Sequence, residues 1–319
     1  MTKATKIGSS SLYKSTTCTD SSTSSESLLP FCRPGILTSY THHSPQPTGL
    51  KVNAGCVLGV DEAGRGPVLG PMVYGICYCP VVWKEELDKQ GFTDSKKLTE
   101  TQRDSLFEVV LKNSDMMGWG VRVMSPQDIS SGMLGRNKYN LNEQARDTTV
   151  NLVREVIESG INVVEMYVDT LGSPEAHQAK LSSVFPGIRI LVTKKADEKF
   201  AIVSAASICA KVTRDWVLRN WVFAERGLEN FSREFGSGYP SDPNTIAWLQ
   251  SNMDPVFGFP SLLRFSWATC EKLLEEAVKV TWPEEPEKGQ KKIKRLLEKK
   301  PQTRAKLFVD LGLSIVDDF

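Results

Sequence analysis

Two adjacent carboxylates, Asp61 and Glu62, close an apolar run in "GVDEAGRGPVLG", and glycines flanking a single arginine follow at once. Even partly covered, such a pair repels itself and loses hydration. In extended backbone neighbouring side chains point to opposite faces, so the two acids share a site only where the strand ends or distorts. Gly64 and Gly66 supply that freedom. Alone, "DE" before glycine is ordinary turn sequence. Further acids change its meaning. Asp169 ends the apolar run "VVEMYVD", and strand ends are where α/β proteins present functional groups. Asp197 follows "IRILVT" at the start of a long helical stretch, and Asp215 further along that stretch competes with it. Acids at several strand ends form an all-oxygen cage in which a cation offsets their repulsion.

The rest of the composition narrows that cation. There are 3 histidines and 7 scattered cysteines with no CxxC pair, which argues against zinc and against a disulfide framework and favours a reducing compartment. Magnesium or manganese, which accept carboxylate oxygens, fit better. No Ser/His or Cys/His arrangement suggests a nucleophilic side chain. The chain has 319 residues, a net charge of +1 and 40% hydrophobic residues, enough for a substantial core. No apolar run approaches the roughly 20 residues of a membrane helix. Basic residues cluster along 191–220 and in "KGQKKIKRLLEKK", patterns that nucleic-acid binders share with ordinary solvated helix faces.

The elements that must position these acids follow from periodicity and capping. Residues 1–50 are rich in Ser and Thr and poor in large apolar residues, the composition of a disordered tail. "CVLGV" and "PMVYGICYC" read as buried strands joined by the glycine-rich connection, and "GWGVRVM" as a third. "TETQRDSLFEVVLKN" is a helix with a Thr99–Gln102 capping box, and "NLNEQARDTTVNLVREVIESG" a longer one capped by Asn140 and stopped by Gly160. "VVEMYVD" and "IRILVT" are strands around a helix with Pro174 at its first position, and Asp197 to about Glu225 is a long helix. Short helices are expected around 243–252 and 266–280. Hairpin-like strands followed by strand–helix alternation predict an α/β fold: one mixed sheet with helices on both faces.

The stretches "GVDEAGRGP", "TDSKKL", "YVDT", "KKAD", "SAASICAKVTRD", "GSGYPSDP" and "FGFPSLLRFSW" together resemble the ribonuclease HII family, most closely the catalytic subunits of eukaryotic type 2 ribonucleases H. The match runs in order from about Gly55 to Trp282. It implies a ribonuclease H-like mixed sheet flanked by helices with a C-terminal helical extension. The implied division is a catalytic domain over 51–235, a substrate-contacting helical region over 236–282 and a charged linker and terminal segment over 283–319. The implied activity is hydrolysis of RNA in RNA–DNA hybrids and incision 5′ of single ribonucleotides in duplex DNA, leaving 5′-phosphate and 3′-hydroxyl ends, in ribonucleotide excision repair and removal of replication primers. The metal-binding carboxylates become Asp61, Glu62, Asp169 and Asp197, holding two Mg2+ or Mn2+ ions, and Asp215 becomes a partner of Lys211. Backbone groups of Gly64, Arg65 and Gly66 read the 2′-hydroxyl, which distinguishes RNA from DNA, and Tyr239 contacts the ribonucleotide. Ser95, Lys96, Lys97, Lys211 and Arg214 resemble phosphate contacts. The resemblance also implies accessory subunits B and C, for which "KLFVDLGLSIVDDF" is a candidate docking segment, and a nuclear setting, to which "KKIKR" fits.

Overall fold

The computed structural model describes residues 35–170, 172–225 and 231–279. Contacts divide the chain after Ala277, and the described elements belong to the first unit. The strands are β1 (Tyr40–His43), β2 (Cys56–Ala63), β3 (Met72–Pro80), β4 (Gly118–Met124), β5 (Val163–Asp169) and β6 (Arg189–Thr193). They form one mixed sheet in the order β1-β4-β3-β2-β5-β6, antiparallel from β1 to β2 and parallel from β2 to β6. The helices are α1 (Lys84–Asp88), α2 (Glu100–Lys112), α3 (Pro126–Leu134), α4 (Leu141–Glu158), α5 (Pro174–Val184), α6 (Ala196–Lys199), α7 (Ala201–Arg219), α8 (Pro243–Ser251) and α9 (Ala268–Leu274).

Alternation along β2 sorts its side chains to two cores. Val57 and Ala63 join the core beneath α2 and α7, whereas Cys56, Leu58 and Val60 join the core beneath α4 and α5. Asp61 therefore stands on the α7 face and Glu62 on the α4 face. Glycines let α7 lie close on the sheet. A Cβ at Gly59 would overlap the Ile202 carbonyl, and one at Gly75, which pairs with Asp61, would overlap the Ala206 carbonyl. That approach brings α7 side chains to the end of β2. The expected Thr99–Gln102 capping box forms, and Asn140 caps α4 as expected, with Glu143 completing a second box. Gly160, past the end of α4, takes the left-handed conformation with φ 96°.

Three expectations change. Residues 1–50 are not structureless throughout: Tyr40–His43 pairs with β4, Tyr40 is buried, and Ser39 bonds Asp128. The helix expected from Asp197 to about Glu225 is two pieces. Phe200 takes extended backbone (φ −132°, ψ 115°) and its ring stacks on Tyr167 at 4.2 Å, which separates α6 from α7. Asp197 thus lies in the short turn, and α7 ends at Arg219. Helices α1 and α3 were not anticipated, although Ser125 capping a helix with Pro126 at its first position is a legible start signal. "KKIKR" and "KLFVDLGLSIVDDF" lie outside the described residues.

Candidate active site

Three of the four acids line one cleft where β2 and β5 end. Val60 pairs with Val168 across the parallel ladder, so Asp61 and Asp169 stand side by side on the α7 face. Asp61 receives the Glu62 N–H at 2.7 Å, and Asp169 receives the Ala196 N–H at 2.8 Å, which ties α6 to β5. Burial, then Glu62 and Asp169, push the Asp61 carboxyl well above the usual carboxylate range, although Ser207 and the Glu62 amide pull the other way. Burial also lifts Glu62 to about 7, against the opposing pull of Arg65 and with help from Asp169. Asp197 is 3% exposed, and neither carboxylate oxygen has a partner in hydrogen-bond geometry. Burial raises its pKa, with Lys96 opposing and Asp169 and Asp94 reinforcing.

Asp61, Glu62 and Asp169 border a cleft of about 690 Å3; Asp197 is not among its lining residues, but interacts electrostatically with Lys96 and Asp169, which are. Among the described residues no three His, Cys, Asp or Glu side chains are drawn close enough to hold a metal ion as they stand. Lys96 is the counter-charge present: burial opposes its charge, yet Asp197, Asp61, Asp169 and Asp94 together raise its pKa. The residues fit a divalent cation on two counts, an all-oxygen donor set and the orphaned oxygens of Asp197. Asp215 differs. It is bonded by Lys211 at 2.6 and 2.8 Å, with Arg103 at 3.4 Å and Arg214 at 3.5 Å, so its charge is already matched.

The basic residues separate into two groups. Lys96, Lys211 and Arg214 line the cleft; burial lowers the pKa of Lys211 despite Asp215, and Arg214 keeps Nε and Nη2 unpartnered. Lys97 does not line the cleft: it is 68% exposed in its side chain and pairs with Asp94 at 3.5 Å and Glu198 at 3.7 Å. Adjacent residues on a loop face different ways, and only Lys96 turns inward. Ser95 also lines the cleft, buried in its wall with its hydroxyl 2.8 Å from that of Ser207 on α7.

The glycine loop sits in the same cleft. Gly64 has φ 76°, and a Cβ there would overlap the Arg214 side chain. Tyr239 is 48% exposed at the cleft margin, with its ring close enough to Gly66 that a Cβ would come within 3.0 Å of it. It is not a buried loop aromatic.

Residues 58–270 match the family model described as Ribonuclease HII. The chain belongs to the ribonuclease HII family. It is 51% identical over 256 residues to the A subunit of ribonuclease H2 from Bos taurus, spanning 79% of this chain and 85% of that one. Against the Homo sapiens protein of that name, identity is 46% over 267 residues, spanning 81% and 89%. The ribonuclease H2 structure from Pyrococcus horikoshii is 34% identical with TM-score 0.56, covering 69% of this chain and 97% of that one. Ribonuclease HII of Archaeoglobus fulgidus, solved with PCNA, is 33% identical with TM-score 0.51, covering 61% and 85%. This chain is a ribonuclease H enzyme with the fold of those structures.

Two residues of this ribonuclease that composition and spacing did not single out hold the glycine loop. Arg264 is fully buried, and its guanidinium donates to the carbonyls of Gly64 (2.6 Å), Arg65 (3.1 Å) and Gly70 (2.9 Å). Trp267 Nε1 donates to the Gly66 carbonyl at 3.0 Å, and its ring lies 4.9 Å beneath the Arg264 guanidinium. Every carbonyl from Gly64 to Gly66 thus faces the "LLRFSW" segment. The one signal for this was a charged residue within an apolar run. Arg103 is the third addition, donating to the Leu98 carbonyl at 2.6 Å while pairing with Asp215, which fixes the Lys96 loop against α7.

Proposed function

We propose that this ribonuclease hydrolyses the RNA strand of RNA–DNA hybrids and incises duplex DNA 5′ of single ribonucleotides, leaving 5′-phosphate and 3′-hydroxyl ends. The observation that carries this reading is the sharing of one cleft by Asp61, Glu62 and Asp169, the Gly64–Gly66 loop and Tyr239. Acids for phosphodiester chemistry stand beside backbone able to approach a ribose closely.

Asp61, Glu62, Asp169 and Asp197 are the residues that would hold two divalent ions, magnesium or manganese. When bound, such ions lower the pKa of an attacking water and neutralise charge on the leaving 3′-oxygen. The protein's own part is positioning. Arg264 and Trp267 lock the loop carbonyls inward, which leaves the loop's other face free to meet the 2′-hydroxyl. Tyr239 closes the cleft over the sugar. Lys96, Lys211 and Arg214 supply positive charge to the phosphate backbone, a contribution that positions without reading sequence. No side chain is asked to become a covalent intermediate.

The mammalian relatives are named as the A subunit of a ribonuclease H2, and by the same reading this chain works with accessory subunits B and C. Ribonucleotide excision repair and primer removal in the nucleus are the settings that fit such an activity. No helix among the described residues is long and apolar enough to cross a membrane. The test offers the chain three duplexes with magnesium: a hybrid, DNA bearing one ribonucleotide, and all-DNA. Cleavage of the first two and not the third is expected; equal cleavage of all-DNA would overturn ribose recognition.

A further inference from the structure

A second cavity, of about 200 Å3, opens on the α4 face of the sheet and shares Glu62 and Arg65 with the main cleft. The charged side chains on its wall are Arg65 and Arg146 against Glu62 alone. Arg65 is braced for this position: its guanidinium donates to Asn142 Oδ1 and lies 3.5 Å from the Tyr74 hydroxyl. Arg146, half-buried on α4, forms no hydrogen bond or ion pair among the described residues. His177 adds a third polar group. The Thr170 hydroxyl accepts the Gly172 N–H at 3.2 Å and stands 3.5 Å from His177 Nδ1, leaving Nε2 as the ring's other polar atom. That Nε2 is buried and has no partner. The N-terminal ends of α4 and α5 open onto the same space through Asn142 and Ser173, adding partial positive charge. Two guanidinium groups, an unpartnered imidazole nitrogen and two helix starts around one small cavity leave positive charge in excess of the single Glu62 carboxylate.

We propose that this cavity is a subsite for one phosphodiester of the bound nucleic acid strand, on the 5′ side of the cut, gripped by Arg146, Arg65 and His177. The inference rests on the proposed function. If incision falls 5′ of the ribonucleotide, Gly64–Gly66 and Tyr239 hold the nucleotide 3′ of the cut. Strand leaving the carboxylates past the other side of Glu62 is then the 5′ strand. Glu62 marks the boundary between the two grooves, with Arg65 reaching across it: its backbone belongs to the ribose-reading loop and its side chain to the phosphate subsite.

The test measures binding rather than cleavage, with the full chain, no divalent ion and a labelled DNA duplex carrying one ribonucleotide. Arg146→Gln should weaken binding roughly 3- to 10-fold and reduce the slope of log affinity against log salt by about one. Arg146→Lys should recover part of that affinity. Arg154→Gln, two turns along α4 and outside the cavity, controls for loss of charge alone. A neutral methylphosphonate is then placed at successive positions on either side of the cut. One position on the 5′ side should weaken the unaltered chain and leave Arg146→Gln unaffected. Coupling only to a 3′ position, no coupling anywhere, or an equal loss in Arg154→Gln overturns the subsite while leaving the ribonuclease reading intact. An unaltered chain that prefers the ribonucleotide duplex no more than all-DNA overturns the reading beneath it.

Discussion

Arg264→Met tests whether the glycine loop is held from behind. The substitution keeps an unbranched side chain of similar reach but removes the donors now serving Gly64, Arg65 and Gly70 carbonyls at 2.6, 3.1 and 2.9 Å. Each such bond to a charged donor is worth about 1.5–3 kcal/mol, and a stranded buried carbonyl keeps its desolvation cost. Against this, the variant no longer buries a cation: Arg264 is fully enclosed, and burial, with Arg214 nearby, brings its pKa down to about 9. Setting the lost bonds against that relief gives a net loss of about 3–5 kcal/mol, a large share of the roughly 5–15 kcal/mol of a folded domain. Denaturant unfolding at low temperature measures the loss directly. Trp267→Phe should cost about 0.5–1.5 kcal/mol, since only the bond to Gly66 disappears and the ring under Arg264 remains. Both variants should lose more activity on single-ribonucleotide duplexes than on long hybrids. A loss below about 1 kcal/mol for Arg264→Met, with unchanged substrate preference, would refute the idea that these bonds set the loop.

Tyr239→Phe should lower cleavage of a single-ribonucleotide duplex by about 2- to 10-fold, and Tyr239→Ala by more, because the ring by Gly66 also goes. Long hybrids, which offer many registers, should suffer less; equal small losses on both would make Tyr239 structural. Metal-free protein should lose stability as pH rises from about 4.5 to 7. Glu62 holds its proton up to about 7 when folded but releases it near 4.5 when unfolded, and Asp61 shifts the same way. The folded state therefore binds more protons through that window, and the loss from Glu62 amounts to about 3 kcal/mol, to be restored by divalent cation and reduced in Asp61→Asn. Unfolding curves at stepped pH check this, and a flat profile contradicts it. A chain beginning at residue 51 should melt several degrees below one beginning at residue 35, because it lacks β1 and the Ser39–Asp128 and His43–Glu155 contacts; identical melting would show that β1 contributes nothing.

What the sequence discloses here is what local chemistry decides. Apolar runs ending in Asp61 and Asp169 mark strand ends, and Thr99, Asn140 and Pro174 mark helix starts through their own side chains. Asp61 and Glu62 are legible as a pair, but their division between two faces depends on β2 staying regular to Ala63. The break at Phe200 is invisible in periodicity, because the ring's stacking on Tyr167 outweighs the helical tendency of its neighbours. β1 carries "YTHH", too short and polar to announce an edge strand. Lys96 and Lys97 are indistinguishable by type, and only the loop's course sends one to the carboxylates and the other to solvent. Arg264 is the extreme case, since its partners lie about 200 residues away in the chain.

The central claim is that Asp61, Glu62, Asp169 and Asp197 hold the cations that drive hydrolysis, while Asp215 only balances nearby basic residues. It is tested most directly by measuring magnesium-dependent incision of a single-ribonucleotide duplex by Asp197→Asn and Asp215→Asn beside the unaltered chain. Both variants should fold, judged by circular dichroism. Asp197→Asn should lose incision by orders of magnitude at every magnesium concentration, and Asp215→Asn should keep a readily measured rate. An active Asp197→Asn beside a dead Asp215→Asn would contradict the account.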